Sequence, residues 1–567
     1  MKLSILSILF VLVCWQILVP CHAQSTKILQ EKVQLSDGVK LSTDVYLPTQ
    51  EGAYPVILLR TPYNKKQMQG YGQFFAANGY AVVAQDVRGE FASEGEFIPF
   101  INEKRDGLEV LDWIAKQSWC GGQIAGFGTS YIGFSALTLM DQQHPNLKTV
   151  FNISGWIKPA TMNKPGGAHH LMLGLPWLLH EASQRSKKKP KVPLDSLFKV
   201  LPLKKAMQVA GIDYPLWENP RPMEVFNQDF DFSKVNIPVF HIGGWFDFVK
   251  EGVIENYLQI KKHGTGPQKL IVGPWYHNQE HSKSTAAGEL DFGAGSYLGD
   301  SGIRDLALRW FNHWLKKQDT GLMDEPEVRL FNLFANEWKI FSLFPPQNGA
   351  STLFYLNSSG KANSLGGDGE LSLQLPGKKS SDHFIFDPQQ PVLTQGGANF
   401  HFFPDQLGLK DQTAIEKRQD VLVYTSEAFQ KVQDIVGRIT LRLFASTEGE
   451  DTDFTAKLVI VDQTGKALNL CDGIIRARHR NGLDKTEFLK PGKVYEFIID
   501  LGHIAFQIKP GQRIRLEVSS SNFPKYDRNL NVALPSFEAE NPRIVKQSIY
   551  HSKKYPSQLI LPFSTSK

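Results

Sequence analysis

The residues in this chain best placed to do chemistry are a serine, an aspartate and a histidine, met in that order. Ser130 lies in Ala125-Gly126-Phe127-Gly128-Thr129-Ser130-Tyr131-Ile132-Gly133, an apolar strand-like run that breaks at glycines and resumes as the helix-like Phe134-Ser135-Ala136-Leu137-Thr138-Leu139-Met140. Strand, sharp turn and helix together make a nucleophile elbow, in which a strained backbone pushes the serine hydroxyl out of the sheet and aims the next N–H at the same spot. Glycine is needed at 128 because a side chain two residues before the serine collides with the packed turn. The usual second glycine, two residues after the serine, is replaced by Ile132 and delayed to Gly133.

A serine at neutral pH is a poor nucleophile and needs a histidine base, itself oriented by a buried carboxylate. On a parallel sheet these groups follow in the order serine, acid, histidine, each on a loop at a strand's carboxyl end. Two loops qualify. The strand-like Pro238 to Ile242 runs into Gly243-Gly244-Trp245-Phe246-Asp247, and Leu270 to Val272 runs into Gly273-Pro274-Trp275-Tyr276-His277. Taken alone, Asp247 reads equally as a cap for the helical segment near Glu251, and His277 as a surface residue. With Ser130 they form the catalytic set Ser130, Asp247 and His277. Acyl transfer also needs donors for the developing oxyanion. The Tyr131 backbone N–H is one, and the loop Arg60-Thr61-Pro62-Tyr63-Asn64-Lys65 offers the Tyr63 hydroxyl as a second, unless Tyr63 is only a packed aromatic.

The elements that must position these groups are legible in the spacing of apolar runs. Glu31 to Leu35 and Val39 to Leu47 alternate in polarity around Ser36-Asp37-Gly38, a hairpin at a sheet edge. Compact apolar strands follow at Pro55 to Leu59, Ala81 to Gln85, Gln123 to Phe127, Thr149 to Ile153, Pro238 to Ile242 and Leu270 to Val272. Amphipathic segments lie between them, such as Glu103 to Gln117 with Leu108, Leu111 and Ile114 on one face. Alternating strands and helices predict a mostly parallel sheet covered on both faces, with ligands at the strands' carboxyl ends. The alternation is interrupted over 156–234 by apolar clusters at helical spacing, such as Leu197, Val200 and Leu201, which predict a helical cap. The core is thus expected over 24–155 and 235–320, closing with the helix Ile303 to Lys317. Beyond it, turn signals such as Pro376-Gly377 and Lys509-Pro510-Gly511 predict an all-β sandwich over 321–567.

Length and composition agree with this division. A chain of 567 residues is too long for one ordinary core, and a 42% share of hydrophobic residues suits a large one. Residues 1–23 read as a secretory signal: Lys2 starts it, Leu3 to Val19 is its apolar core, and Cys21-His22-Ala23 is a small-residue cleavage site. Pro20 ends a run too short for a stable membrane anchor, and it also argues against a lipoprotein reading of Leu18-Val19-Pro20-Cys21. The expectation is export, periplasmic or secreted. Cys14 and Cys21 would leave with the signal, and whether Cys120 and Cys471 join in a disulfide stays open. A net charge of +5 is small for this length and does not imply nucleic acid. The basic cluster Arg185, Lys187, Lys188, Lys189 and Lys191 reads as a solvated loop. His277 and His281 have helical spacing but lack the glutamate of a zinc motif, so neither a metal nor another cofactor is expected.

Five stretches carry a resemblance to a known family. Arg60-Thr61-Pro62-Tyr63, Gln85-Asp86-Val87-Arg88-Gly89 with Ser93-Glu94-Gly95, Gly128-Thr129-Ser130-Tyr131-Ile132-Gly133, Gly243-Gly244-Trp245-Phe246-Asp247 and Gly273-Pro274-Trp275-Tyr276-His277 resemble the serine hydrolases that include cocaine esterase, glutaryl acylases, α-amino acid ester hydrolases and Xaa-Pro dipeptidyl-peptidases. The delayed glycine is usual there. The likeness continues through Trp310-Phe311-Asn312-His313-Trp314-Leu315, Phe386-Asp387-Pro388, Asp451-Thr452-Asp453-Phe454 and Ser519-Ser520-Ser521-Asn522-Phe523-Pro524, nearly the whole mature chain. It implies an α/β-hydrolase core, a helical cap and a C-terminal jelly roll. It also implies Ser130 as nucleophile, His277 as base, Asp247 as orienting acid, and Tyr63 with Tyr131 as oxyanion hole. Asp451-Thr452-Asp453 and Asn522 take structural roles.

The substrate is the open question. The implied partners are a small-molecule ester or amide, or a short peptide. The dipeptidyl-peptidases of this family commonly carry an extra N-terminal helical domain, whereas here the edge hairpin follows the signal within a few residues. Ile132 stands where the α-amino ester hydrolases place a glutamate, which disfavours an aminated substrate, although Glu251 and Glu255 remain candidates near the pocket. Trp156, Trp177, Trp245 and Trp275, near candidate site loops, suit an apolar or aromatic acyl group or simple packing. A secreted esterase or acylase is the first reading, an exported dipeptidyl-peptidase the second. A degenerate hydrolase acting as a binding module is the alternative from another class.

Overall fold

The computed structural model describes residues 26–158, 162, 164–214, 217, 229–346, 349–377, 380–400, 402–535 and 537–564. The expected signal over 1–23 lies outside these residues, as does part of the expected cap. In chain order the first strands are β1 (Lys27–Gln34), β2 (Lys40–Leu47), β3 (Tyr54–Thr61), β4 (Ala81–Asp86), β5 (Cys120–Thr129), β6 (Leu147–Ile153), β7 (Val239–Gly244) and β8 (Gln268–Gly273). The sheet is completed by β9 (Val328–Asn332) and β10 (Glu337–Phe341), and its ten strands run β1-β2-β4-β3-β5-β6-β7-β8-β9-β10. From β4 to β9 every neighbouring pair is parallel. The hairpins β1–β2 and β9–β10 close the two edges in antiparallel register.

Strands β4, β7 and β8 are buried along their whole length, which is why they read as unbroken apolar runs rather than alternating ones. Alternation survives in which layer each side chain joins. Val56 and Leu58 of β3 pack with Val83, Ile124, Leu111 and Ile114, the last two from α2 (Glu103–Ala115). Ile57 and Leu59 face the opposite layer, with Phe127, Phe151, Phe240, Phe75 of α1 (Gln69–Ala77), and Trp310 and Phe311 of the long helix Gly299–Lys316. Phe151 stacks on Phe240 at 4.7 Å between ring centroids and Phe127 meets Phe311 edge-on at 6.1 Å. Contacts of this kind contribute about 0.5–1.5 kcal/mol each beyond burial.

The hairpin β9–β10 departs from the expected domain limit. The sequence pattern places residues 321 onward in the β-sandwich, yet Val328, Arg329 and Leu330 pair in parallel with Leu270, Ile271 and Val272 of β8. Apolar alternation looks the same whichever sheet a strand joins, so tertiary pairing decides. Among the described residues, eleven further strands between Gly349 and Ser564 form the C-terminal all-β jelly roll. Its long strand Gln433–Thr447 pairs with Tyr495–Ile508, Val545–His551 and Gln558–Ser564, so the sheet doubles back around Leu441, Leu443, Leu458, Ile460, Ile499 and Leu516. Asp453 accepts two bonds of 2.9 Å from Arg476, while Asn529 bridges Asp451 and Asp453 at 2.8 and 2.9 Å.

The interruption after β6 is helical where described. Its main element is α4 (Leu171–Ser186), following α3 (Tyr131–Leu137). The cap is tied to the jelly roll through His169, whose N–H donates to Asp527 at 2.7 Å, and through a backbone bridge between His170 and Tyr526. Glu251, a candidate for the pocket, instead accepts from the His503 N–H at 2.7 Å and pairs with its ring at 2.7 Å, joining core to jelly roll. Glu255 accepts from Gln259 at 2.6 Å on the same helix, Lys250–His263. Cys120, on β5, and Cys471, on the jelly-roll strand Ala467–Arg476, are both free thiols.

Candidate active site

Strand β5 ends at Thr129 and α3 begins at Tyr131, so the turn between them is the single residue Ser130, held at φ 57°, ψ −124°. A non-glycine residue in that region costs of order 1–3 kcal/mol and persists only where its surroundings dictate it. Here the Ser130 N–H donates to Ile153 at 2.9 Å and its carbonyl accepts from Phe134 at 2.8 Å. The late glycine has a steric cause: a Cβ at Gly133 would stand 2.5 Å from Asn152 Oδ1 and 2.9 Å from the Gly128 carbonyl. Ile132, by contrast, packs into the aromatic layer under the sheet.

Asp247 and His277 arrive from β7 and β8, whose loops are joined by backbone bonds from Trp245 to Gly273 (2.8 Å) and from Phe246 to Trp275 (2.9 Å). His277 Nε2 lies 3.0 Å from Ser130 Oγ, and His277 Nδ1 lies 3.0 Å from both Asp247 carboxylate oxygens. Asp247 Oδ1 also accepts from the Val249 N–H at 3.0 Å, so it caps the following segment as well as facing the histidine. Beyond the histidine, Gln279 staples the loop by accepting from Tyr276 N–H at 3.0 Å and donating to Ala286 at 2.7 Å. Burial pulls the His277 pKa down, but the charge of Asp247, its hydrogen bond and the charge of Glu280 outweigh this, so the net shift is upward. The arrangement can take a proton from the Ser130 hydroxyl and stabilise the imidazolium that results.

Tyr131 N–H heads α3, where the first four N–H groups have no carbonyl partner within the helix. The Tyr131 ring is locked, since its hydroxyl donates to Glu103 at 2.5 Å and accepts from Phe100 N–H at 2.8 Å. Glu103 is in turn held by Arg60, which donates to its carbonyl at 2.7 Å and to Gln85 at 3.0 Å. Tyr63 lines the same cavities as Ser130, edge-on to Tyr131 at 6.3 Å. Its loop is pinned by Lys65, whose N–H donates to Asp86 at 2.7 Å and whose ammonium pairs with Asp44. Burial pushes the Tyr63 hydroxyl pKa up, and the Glu181 charge pushes it further, so the phenol keeps its proton.

Residues 37–279 match the family X-Pro dipeptidyl-peptidase (S15 family), and residues 320–560 match the X-Pro dipeptidyl-peptidase C-terminal non-catalytic domain. The cocaine esterase of Rhodococcus sp. (strain MB1 Bresler) is 33% identical, over 94% of this chain and 97% of that one. The chain is a serine hydrolase of the S15 family. Solved structures share its fold, among them the following two. An aminopeptidase from the marine sediment archaeon Thaumarchaeota archaeon superposes with a TM-score of 0.82 at 24% identity, over 96% of this chain and 97% of that one. An α-amino acid ester hydrolase superposes with a TM-score of 0.80 at 23% identity and the same coverage.

Two cavities meet at Ser130 in this S15 enzyme. The deep one is walled mainly by apolar groups, including Phe100, Trp156, Trp177, Phe248 and Phe400, and does not border His277. The outer one borders Ser130, His277 and Tyr63 and carries Glu90 and Glu181. Of the four tryptophans near the site loops, Trp156 and Trp177 reach the deep cavity. Trp245 and Trp275 are packing residues instead, donating to Phe331 at 2.7 Å and Ser296 at 2.9 Å.

Several polar groups around the site escaped the sequence reading. Glu181 belongs to the α4 face Trp177, His180, Glu181, Gln184, all of which line the outer cavity at spacings of 3, 1 and 3. That periodicity could have flagged them. Burial, followed by the charge of Glu90, lifts the Glu181 pKa to about 8, while burial lifts that of Glu90 to about 7. Arg185 is a correction to the solvated basic loop, for it pairs with Glu90 at 2.8 Å and lies over Phe97 at 4.6 Å. His281 is no lone helical neighbour of His277 either. Its Nε2 lies 2.8 Å from Thr129 Oγ1, and Tyr71 and Asp300 hold its other side at 3.3 and 3.6 Å.

Proposed function

We propose that this S15 hydrolase cleaves an ester through an acyl-enzyme on Ser130. The observation that carries the proposal is the unbroken chain from Ser130 Oγ through His277 to Asp247, with every link at 3.0 Å. In the first half-reaction Ser130 Oγ attacks the acyl carbon as His277 Nε2 takes its proton, and Asp247 holds the imidazolium. Charge then appears on the former carbonyl oxygen, where Tyr131 N–H and the Tyr63 hydroxyl serve as donors. Collapse expels the alcohol, which takes the proton from His277. Water repeats the sequence to release the acid and restore Ser130.

The direction of the proton assigns the cavities. The leaving group must be protonated by His277, so the outer cavity that borders His277 receives it, and the deep cavity receives the acyl group. The aromatic lining of the deep cavity favours an apolar or aromatic acyl group. The family match itself supports a second reading, release of an Xaa-Pro dipeptide from the N-terminus of a peptide. We also propose export after cleavage near Ala23, on the residue pattern of 1–23.

A fluorophosphonate probe should label Ser130, and p-nitrophenyl esters should outpace glutaryl amides and Xaa-Pro-nitroanilides. Folded protein that takes no label at Ser130 overturns the mechanism. A dominant rate on Xaa-Pro-nitroanilides replaces the first reading with the second. A mature protein whose first residue is not near Gln24 overturns the cleavage site.

A further inference from the structure

The wall of the deep cavity includes a side chain with a buried polar atom that the reaction does not use. His170, at the N-terminal end of α4, is 5% exposed and forms part of the wall of the cavity that holds Ser130 and Trp177. Its Nδ1 lies 3.2 Å from the Met162 carbonyl oxygen. A carbonyl only accepts, so Nδ1 carries the proton and Nε2 presents a lone pair. That Nε2 is buried and has no hydrogen-bond partner.

Protonation does not relieve this. Burial, and next the charge of Lys525, pull the His170 pKa down to about 3, so the ring is a neutral acceptor at Nε2 across the working range of the enzyme. Nor does the packing conceal a role as a mere filler. The ring stands between Phe248 and Tyr526, at centroid distances of 6.2 and 5.8 Å, and Phe248 in turn meets the His277 ring at 4.5 Å. One aromatic side chain therefore separates His170 from the base. His170 also borders a second, interdomain cavity with Lys525, Asp472 and Asp247 in its walls.

Unsatisfied buried acceptors are uncommon in folded proteins and costly to keep. One in a ligand cavity is accounted for when the ligand brings the donor. We propose that His170 is a specificity-determining residue: its Nε2 accepts a hydrogen bond from an O–H or N–H on the substrate's acyl group. The natural acyl group would then be an apolar, ring-sized body with one donor at its distal end. This rests on the assignment of the deep cavity to the acyl side made above. A site built to bond a donor rejects the analogue lacking it far more strongly than a hydrophobic pocket rejects a methyl, because rejection leaves the site's own polar atom unpaired.

The test compares p-nitrophenyl esters of 3- and 4-hydroxyphenylacetic acid with those of the 3- and 4-methyl acids, on the wild-type enzyme and on His170→Phe. The hydroxyl and methyl groups are similar in size, so the ratio of kcat/KM reads the hydrogen bond. In the wild type one hydroxy isomer should exceed its methyl counterpart by about tenfold or more. In His170→Phe that ratio should fall to about one or below. A purely structural role would lower both members of a pair equally and leave the ratio in place, which overturns the proposal. So does a wild-type ratio near one for both isomers, the result expected if solvent from the interdomain cavity serves Nε2. A wild-type ratio near one overturns the proposal whether or not His170→Phe folds, and His170→Leu supplies the same comparison should the phenylalanine variant fail to fold. Turnover without preference removes this inference alone, whereas absence of turnover on all four esters removes the esterase reading with it.

Discussion

His277 and Asp247 meet symmetrically: Nδ1 lies 3.0 Å from each oxygen of a carboxylate that is itself buried. The contact places the proton on Nδ1 and leaves Nε2 as the acceptor facing Ser130. It also sets the sign of the pH response. Burial disfavours the imidazolium, Asp247 favours it by more, and the balance is a raised pKa. The proposed base works only when neutral, so activity should be lost as pH falls through that raised value. The acid limb of kcat/KM should have its midpoint above the ordinary histidine value of about 6.5. Asp247→Asn removes the two larger causes that raise it, leaving only the charge of Glu280, so it moves the midpoint down and lowers kcat by about 10⁴-fold, the scale of a lost orienting acid. A wild-type midpoint below 6.5, or one unmoved in the variant, would mean that another pair governs the rate.

Ser130 carries the strain and, in the proposed mechanism, the chemistry, and substitution can separate them. Ser130→Ala should lower kcat by more than about 10³-fold while the fold persists. Ser130→Gly should be equally inactive but melt higher than Ser130→Ala, because glycine accepts a φ of 57° without a Cβ penalty. Thermal denaturation of the two variants checks this, and an alanine variant that melts higher would show that the elbow is not strained.

Tyr63→Phe keeps the ring that packs against Tyr131 and removes only the hydroxyl. If the phenol stabilises charge that exists only in the tetrahedral state, kcat should fall by about 10²-fold or more with little change in KM. Wild-type kcat on an ester whose acylation is rate-limiting would reduce Tyr63 to a packed aromatic.

How much of this was legible in the sequence depends on whether local pattern or long-range pairing decides. The elbow, Asp247 and His277 sit at strand ends marked by glycine, where local chemistry fixes the backbone, and these could be read. The hairpin Val328 to Phe341 could not be assigned, since its partner strand β8 lies some 55 residues earlier in the chain. His170, Glu90 and Glu181 were missed for a related reason. Each is a single polar residue whose meaning comes from what it faces, and only the folded cap brings Glu181 of α4 beside Glu90 from the loop after β4. Glu251 failed in the opposite sense. The sequence offers it as a candidate near the pocket, whereas it pairs with His503 of the jelly roll and borders the interdomain cavity.

Glu181 yields a prediction at the alkaline end. Its carboxyl pKa is lifted to about 8 by burial and by Glu90, with Arg185 opposing. At pH 7 it is therefore mostly neutral, and it gains its charge as pH rises through about 8. The groups that face it are Glu90 from the core, already ionising near 7, Arg185 one turn further along α4, and the hydroxyls of Tyr63 and Tyr214, both of which feel its charge. A new negative charge beside Tyr63 opposes the oxyanion proposed to form there, so kcat for an uncharged ester should decline through a midpoint near 8. Glu181→Gln keeps the shape of the neutral carboxyl and cannot ionise. Its profile should stay level where the wild type falls, after subtraction of spontaneous hydrolysis. A wild-type rate that holds level to pH 9.5, or an identical decline in Glu181→Gln, would place the charge of Glu181 outside the reach of the oxyanion.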